Sequence, residues 1–481
     1  MRRITTQEKI NRSKIPDELM QFVKKDTFSL IIKGAVGTGK TTLSLTILKA
    51  LDIKDNFFYI CTRVSPKQLL MSYPWISKFN EGLAEEKPKS YENGVPSNFE
   101  DARLDEPESL FERITNELMD VKAPLIIIDS WDAVASFMDR EARLNNERVL
   151  QTWRERAGAK LIFVNEDPTD TSLDFVVDGC IKLDQVPYED IRLREISLLK
   201  LRGVKISKPS YLFTLDEGNF RIFQNHNPND FLTNIDSISF SQLDQKKYSQ
   251  ASSLNEKGLI KSGYRELDLN LGGGFPKKGI ALVEVETDIN LHVAMVFLFR
   301  IIWTHLKSGN VVFFEPPDSF DRNSLESYLK PYLALAKTHA ERFFLVGSQA
   351  KDLIEPLVSG TDKSRSMNEI SYFYKKVLKQ QQSRTDRLVL GVLSFSRFQV
   401  INSRLKTDYK NFARRNVDLS IFVARKSETA ICVTEVCDII LRICAVKGSL
   451  FLKTLYPMSP ILAMEVDHSS GFPLMNLIPL V

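Results

Sequence analysis

The sequence predicts an α/β protein made of two tandem units, and three observations carry that expectation. Apolar β-type runs alternate with helix-patterned stretches from Phe28 to about Phe223, and again from Ile280 to Val466. The first β-run leads directly into a glycine loop, Gly34-Ala35-Val36-Gly37-Thr38-Gly39-Lys40-Thr41-Thr42. The two alternating stretches are offset by about 240 residues, a period too long for a solenoid and suited to a duplicated domain.

In the first unit, strands are expected over 29–33, 56–61, 125–129, 160–165, 179–183 and 194–200, with a closing pair at 211–215 and 220–223. Helical patterns separate the earlier strands, which calls for a mostly parallel sheet; the late strands lack helices between them and read as antiparallel additions at one edge. Residues 77–107 are polar, with Glu85, Glu86, Asp101, Asp105 and Glu106, and read as a loop insertion. Residues 225–257, rich in Asn, Ser, Gln and Asp, read as an interdomain linker. In the second unit, strands are expected over 280–286, 310–314, 342–346, 387–393, 419–423, 437–443, 450–455 and 461–466. The expected organisation is therefore a first domain at 1–224, a linker at 225–257 and a second domain at 258–481.

Composition sets limits on partners and location. With 481 residues, 43% hydrophobic and 26% charged, the chain can bury sizeable cores, and no apolar run approaches a membrane span. The start of the chain has no apolar stretch of secretory type, so a cytoplasmic location is expected. A net charge of +4 does not by itself call for nucleic acid. The basic arm Arg2, Arg3, Lys9, Arg12 and Lys14 reads as a solvated segment, with nucleic-acid contact as the alternative. The five cysteines show no CxxC spacing, and Cys61, Cys180 and Cys437 lie in or beside strand-like runs as reduced core residues. The five histidines are scattered and form no metal-ligand pattern.

The glycine loop is where the chemistry concentrates. Gly34, Gly39, Lys40 and Thr41 have the full phosphate-loop spacing: the glycines let backbone N–H groups surround phosphate oxygens, Lys40 brings a positive charge to the β/γ-phosphates, and the Thr41 hydroxyl suits Mg²⁺. Gly34 through Thr42 are thus the candidate ATP-binding residues, with phosphates at a helix N-terminus. Asp129 ends the apolar run Leu125-Ile-Ile-Ile-Asp129, where a carboxylate needs a cation or strong hydrogen bonds. A metal role through Mg²⁺, with Thr41, fits it; a helix N-cap is the alternative, though Ser130 and Asp132 can fill that place.

Taken together, these motifs resemble the RecA-like branch that includes KaiC, and more closely the archaeal gas-vesicle regulator family GvpD. The resemblance rests on the glycine loop, on Leu125 to Asp132, on Phe175-Val-Val-Asp-Gly-Cys-Ile-Lys-Leu183, on Leu199-Lys-Leu-Arg-Gly203 and on Ser262 to Pro276. GvpD-like features are Cys61-Thr-Arg-Val-Ser-Pro66 and the ending Asp467 to Val481. It implies two tandem RecA-like (KaiC-like) P-loop folds with ATP and Mg²⁺ as ligands. It also implies that Lys200 and Arg202 reach the γ-phosphate held by a neighbouring subunit, so that the first domain self-associates. Ile206 stands where KaiC-like chains often carry a His, and a basic strand end is the alternative for Lys200 and Arg202. For GvpD-like proteins it implies a repressor that acts through a protein partner, a transcription activator.

Two departures from the family pattern shape the expected activity. KaiC-like domains place two glutamates after the second strand, the first of which activates water; here Arg63 and Val64 occupy those places. A guanidinium cannot accept a proton at neutral pH but can pair with a terminal phosphate, so slow hydrolysis at most is expected. Glu166, at the end of a later strand, could substitute but reads as a solvated strand-end carboxylate. In the second domain, Thr287-Asp-Ile-Asn-Leu-His-Val-Ala294 replaces the glycine loop, Leu393 stands where an Asp is expected, and the Lys-x-Arg turn is reduced to Lys453-Thr-Leu455. That domain is expected to be degenerate, with Glu315 a relic and the charged stretch 351–387 a candidate contact surface.

The function these features favour is an ATP-dependent switch acting on a protein partner. The competing class is an oligomeric RecA- or KaiC-like ATPase on nucleic acid, with Lys200, Lys205 and Lys208 as its basic surface. A P-loop kinase or transferase comes last, because no acceptor pocket can be identified.

Overall fold

A computed structural model describes residues 15–53, 56–76, 98–120, 123–169, 172–189, 191–227, 258–317, 342–345, 387–394, 410–411, 413–428, 436–468 and 473–481. The basic arm, most of the stretches 77–107, 225–257 and 351–387, and Cys432 lie outside the described residues. The chain divides into two compact units: residues up to Phe223 with Leu480 and Val481, and Gln224 to Pro479.

The first unit runs α1 (Asp17–Val23), β1 (Phe28–Lys33), α2 (Lys40–Leu51), β2 (Phe57–Cys61), α3 (Pro66–Ser72), β3 (Phe99–Asp101), α4 (Pro107–Asp120), β4 (Leu125–Asp129), α5 (Trp131–Ala135), α6 (Arg140–Ala157), β5 (Lys160–Asn165), β6 (Gly179–Tyr188), β7 (Ile191–Leu201), β8 (Ser210–Thr214) and β9 (Arg221–Ile222). The strands form one nine-stranded sheet in the order β3-β2-β4-β5-β1-β6-β7-β8-β9. Pairing is parallel from β3 through β6 and antiparallel from β6 to β9, the edge additions expected from strands without intervening helices.

Strand side chains alternate between the faces of the sheet, and the core divides accordingly. Leu30, Ile32, Leu125 and Ile127 join α1 and α2 on one face. Ile31, Ile126, Ile128 and Phe163 join Leu110, Trp131 and Leu150 on the other. Both faces are covered, so β1 and β4 read as continuous apolar runs rather than alternating ones. Local chemistry sets several helix ends. Ser65 caps α3 by accepting from Gln68 N at 3.2 Å, with Pro66 in the first turn. Asp139 caps α6 by accepting from Ala142 N at 2.8 Å, and Gly158 ends that helix in the left-handed region.

The second unit contains α7 (Arg265–Asn270), β10 (Gly279–Val285), α8 (Leu291–Lys307), β11 (Val311–Phe314), β12 (Phe343–Leu345), β13 (Val389–Ser394), β14 (Leu419–Arg425), β15 (Ile439–Val446), β16 (Ser449–Tyr456), β17 (Leu462–Asp467) and β18 (Leu474–Pro479). Its sheet order is β12-β11-β13-β14-β10-β15-β16-β17-β18. Strand for strand this repeats the first sheet, with β10 in the place of β1 and β13 in the place of β4. Two large, parallel-rich sheets with helices are thus present, consistent with two RecA-like P-loop folds.

The structure differs from the sequence-based expectation at two strands. β3 lies inside the stretch read as loop, and β18 lies in the chain ending, where no strand was expected. Three residues are too few to show alternation, and β3 owes its place to pairing of Tyr59, Ile60 and Cys61 with Phe99, Glu100 and Asp101.

Candidate functional site at the end of β1

The glycine loop leaves β1 and enters α2, as strand and helix patterns require. Gly39 occupies the N-cap of α2 with φ 101°, a conformation that favours glycine, and no side chain caps the helix there. The first amides of α2 are therefore left for a ligand, with the positive end of the helix behind them. Gly34 is required for packing as well: a Cβ there would meet Leu183 O at 2.4 Å and Thr38 Oγ1 at 2.7 Å. Gly37 faces open space and Val36 is 80% exposed, so the outer rim of the loop is open. Thr38 is buried and its hydroxyl donates to Ala35 O at 2.8 Å, closing the turn.

Lys40 is buried beneath this loop, and its ammonium donates to Gly34 O at 2.7 Å and Ala35 O at 2.9 Å. Burial lowers its pKa, while the carboxylates of Glu166, Asp129 and Asp132 act in the opposite direction. Thr41 Oγ1 donates to Asp129 Oδ2 at 2.7 Å, so the hydroxyl and carboxylate meet where the loop joins the helix. A hydroxyl beside a carboxylate, with phosphate oxygens arriving from the loop, is a donor set suited to Mg²⁺. Thr42 is turned away from the loop mouth, and its hydroxyl is shared with Tyr73 Oη at 2.8 Å.

Asp129 is held in place by a residue the motif reading missed. Tyr59 Oη donates to Asp129 Oδ2 at 2.6 Å and lies 3.0 Å from Ser44 Oγ. Burial pushes the Asp129 carboxyl up, and the Tyr59 and Thr41 hydroxyls oppose that shift. Burial, with the Asp129 charge behind it, also raises Tyr59, which keeps it a donor. The β2–β4 register that brings Tyr59 near Asp129 pairs Cys61 with Asp129, a long-range fact not visible in either segment alone.

Arg63 lies just past β2, half exposed, and bridges two groups. Its Nε donates to Ser130 Oγ at 3.2 Å, and its guanidinium pairs with Glu166 Oε2 at 3.0 Å. Glu166 is therefore an ion-pair partner at the loop and not a solvated strand end.

Lys200 and Arg202 are engaged within the chain. Lys200 Nζ donates to Val177 O at 2.7 Å and Asp174 O at 3.0 Å, and Arg202 pairs with Asp178 Oδ1 at 2.9 Å. Asp178 also accepts from Ser29 N and Oγ, both at 3.1 Å, and from Arg154 at 2.8 Å, tying the start of β1 to the start of β6. Lys33, the last residue of β1, pairs in the interior with Asp174 at 2.6 Å. The four described cysteines, Cys61, Cys180, Cys437 and Cys444, are buried and reduced. Among the described residues no cluster of three or more His, Cys, Asp or Glu side chains could hold a metal by itself, and no helix is long and apolar enough to cross a membrane.

The corresponding place in the second unit is built differently. β10 runs into Glu286 to Asn290, and Asn290 caps α8 with its own side chain by accepting from His292 N at 3.0 Å. Arg425 donates to Ile289 O at 2.7 Å and Thr287 O at 3.2 Å, so carbonyls of this turn face a guanidinium. Ser394, rather than the Leu393 expected from the sequence, ends β13 where Asp129 ends β4, because register and not sequence spacing sets the equivalent position.

A lysine folded beneath its own glycine loop, opening a helix whose first amides no side chain caps, is how P-loop proteins receive phosphate, and the first unit is a P-loop domain. Residues 19–202 match the model of the GvpD gas vesicle protein P-loop domain. The chain is also similar to protein GvpD2 of Halobacterium salinarum, 24% identical over 476 residues that cover 94% of this chain and 93% of that protein. Protein GvpD1 of the same organism is 24% identical over 538 residues, covering 97% and 96%. The circadian clock oscillator protein KaiC of Picosynechococcus sp. is 29% identical over 276 residues, covering 52% of this chain and 47% of that protein. The first unit thus matches the GvpD P-loop domain, in a chain similar to GvpD and KaiC proteins.

Proposed function

We propose that this protein is an ATP-binding regulatory switch of the GvpD/KaiC type, which hydrolyses ATP slowly or not at all and acts through a protein partner. The observation that carries this reading is Arg63: a phosphate loop with Lys40, Thr41 and Asp129 in place has a guanidinium, paired to Glu166, where a water-activating carboxylate would stand. Gly34 to Thr42 would hold the triphosphate, and Thr41 with Asp129 would hold Mg²⁺, which supplies charge neutralisation at the phosphates. The second unit is read as a degenerate copy that serves binding or assembly. Three features support this: the self-capped α8, the glycine-free turn before it, and Ser394 in the position of Asp129. The division into domains at 1–224 and 258–481 follows the same reading.

The partner is a protein, as the resemblance to GvpD proteins implies, and a role in transcription is the form it would take. The nucleic-acid alternative draws less support, since Lys200 turns its ammonium onto backbone carbonyls of its own unit. The test combines calorimetry with Mg-ATP, phosphate release and light scattering on the full chain. One ATP bound per chain, uptake lost in Lys40→Ala, and turnover far below the ~10 per second of a typical enzyme are expected. Turnover at that ordinary rate, abolished by Lys40→Ala, would refute the switch. A ring assembled by ATP would support trans roles for Lys200 and Arg202.

A further inference from the structure

We propose that Glu166 is the water-activating carboxylate of the first unit and that its ion pair with Arg63 acts as a brake on it. This rests on the reading of the first unit as an ATP site. Placement comes first. β1 and β5 pair in register, Lys33 beside Asn165, and Gly34 N donates to Asn165 O at 3.2 Å. Residue 166 therefore lies level with the opening of the phosphate loop. Its backbone is fixed there, because Glu166 N donates to the Asp132 carboxylate.

Availability comes second. Asp129 is pinned by Tyr59 and Thr41, and Asp132 is occupied by Glu166 N and by the Asn165 amide, which donates to it at 3.0 Å once its nitrogen faces the carboxylate. Glu166 keeps 27% of its side chain exposed and is restrained there by Arg63, itself 52% exposed. Arg63 comes from the end of β2 and Glu166 from the end of β5, with β4 between them. The pair thus spans the tip of the strand that carries Asp129. Electrostatics agree: after burial, which lowers Lys40, the largest opposing influence on that lysine is Glu166, ahead of Asp129.

The chemistry balances without a further reactant. Water attacks the γ-phosphorus, its proton passes to the Glu166 carboxylate, and the bond from phosphorus to the β,γ-bridging oxygen breaks. The products are ADP and inorganic phosphate, and Glu166 then releases its proton to solvent. While Arg63 holds the carboxylate, the oxygen that would take the proton is engaged by the guanidinium, so the step is slow.

The experiment compares wild type, Arg63→Gln, Glu166→Gln and the double variant at saturating Mg-ATP, with ATP affinity measured on each by calorimetry. Arg63→Gln should raise phosphate release at least tenfold, and the double variant should lose that gain. A gain that survives in the double variant overturns the proposal, and so does an Arg63→Gln variant that binds ATP yet shows no gain. No ATP uptake by the wild type would instead sink the ATP-site reading beneath it.

Discussion

Tyr59 is the clearest test of how the site holds its carboxylate. Tyr59→Phe keeps the ring, which is 1% exposed, and removes one hydroxyl. That hydroxyl donates to Asp129 at 2.6 Å and touches Ser44 at 3.0 Å. Ser44 keeps its bond to Thr41 O at 2.9 Å, so the loss falls mainly on Asp129, which retains only Thr41 of its two hydroxyl donors. A hydrogen bond to a charged group contributes roughly 1.5–3 kcal/mol, so the variant should lose about 2 kcal/mol at pH 7.

The readout must report the first unit alone. Of the four tryptophans, Trp75, Trp131 and Trp153 precede Phe223, and Trp303 does not. Urea unfolding followed by tryptophan emission in a Trp303→Phe background therefore serves. With Asp129→Asn the carboxylate charge is gone, and Tyr59→Phe should then cost only about 1 kcal/mol. The sign for Asp129 follows from its raised pKa. Its favourable contribution is full below 3.8, the ordinary carboxyl value, and is lost as pH rises through the higher folded value. Asp129→Asn alone should accordingly leave the ligand-free unit as stable at pH 7 as wild type, or more so. Equal costs of Tyr59→Phe in both backgrounds would refute the reasoning.

Two further outcomes follow from buried charges. Lys33 is 2% exposed and Asp174 is 24% exposed, so Asp174→Asn leaves an ammonium in the interior and should cost about 3 kcal/mol, whereas Lys33→Met should cost less than half of that in the same unfolding assay. In the second unit, burial pushes His305 down to about 4 from 6.5, so its contribution is full above 6.5 and is lost as pH falls toward 4. Hydrogen exchange of the α8 amides, corrected for intrinsic rates, should show opening free energy falling by up to about 1.4 kcal/mol per pH unit in that window, and His305→Gln should flatten the slope.

Much of this architecture was legible because the sequence signals are local. A strand, a glycine turn and a helix in succession are read from neighbours, and Gly34 to Gly39 form the expected turn between β1 and α2, which opens with Lys40. The antiparallel edge was legible from strands that follow one another without helices. What escaped depends on register between distant strands. Tyr59 looks like a core aromatic until β2 pairs with β4, and Glu166 looks solvated until β2 and β5 flank β4 and Arg63 reaches across. Lys33 next to a glycine loop carries no hint of Asp174, which is reached through a turn before β6. β3 escaped for a related reason, since a three-residue strand is defined by its partner more than by its own composition, and β18 is likewise placed by its pairing with β17.

β6 and β7 form a ribbon that outruns the rest of their sheet. β6 meets β1 only over Gly179 to Lys182, while its pairing with β7 continues to Tyr188. The overhang stands beside the glycine loop, where Gln185 and Arg194 both donate to Gly37 O, at 3.3 and 2.8 Å. One flank of the loop is thereby walled, while the flank bearing Val36 faces water. A push on the ribbon would therefore be passed straight to the Gly37 peptide, whose carbonyl two of its side chains hold.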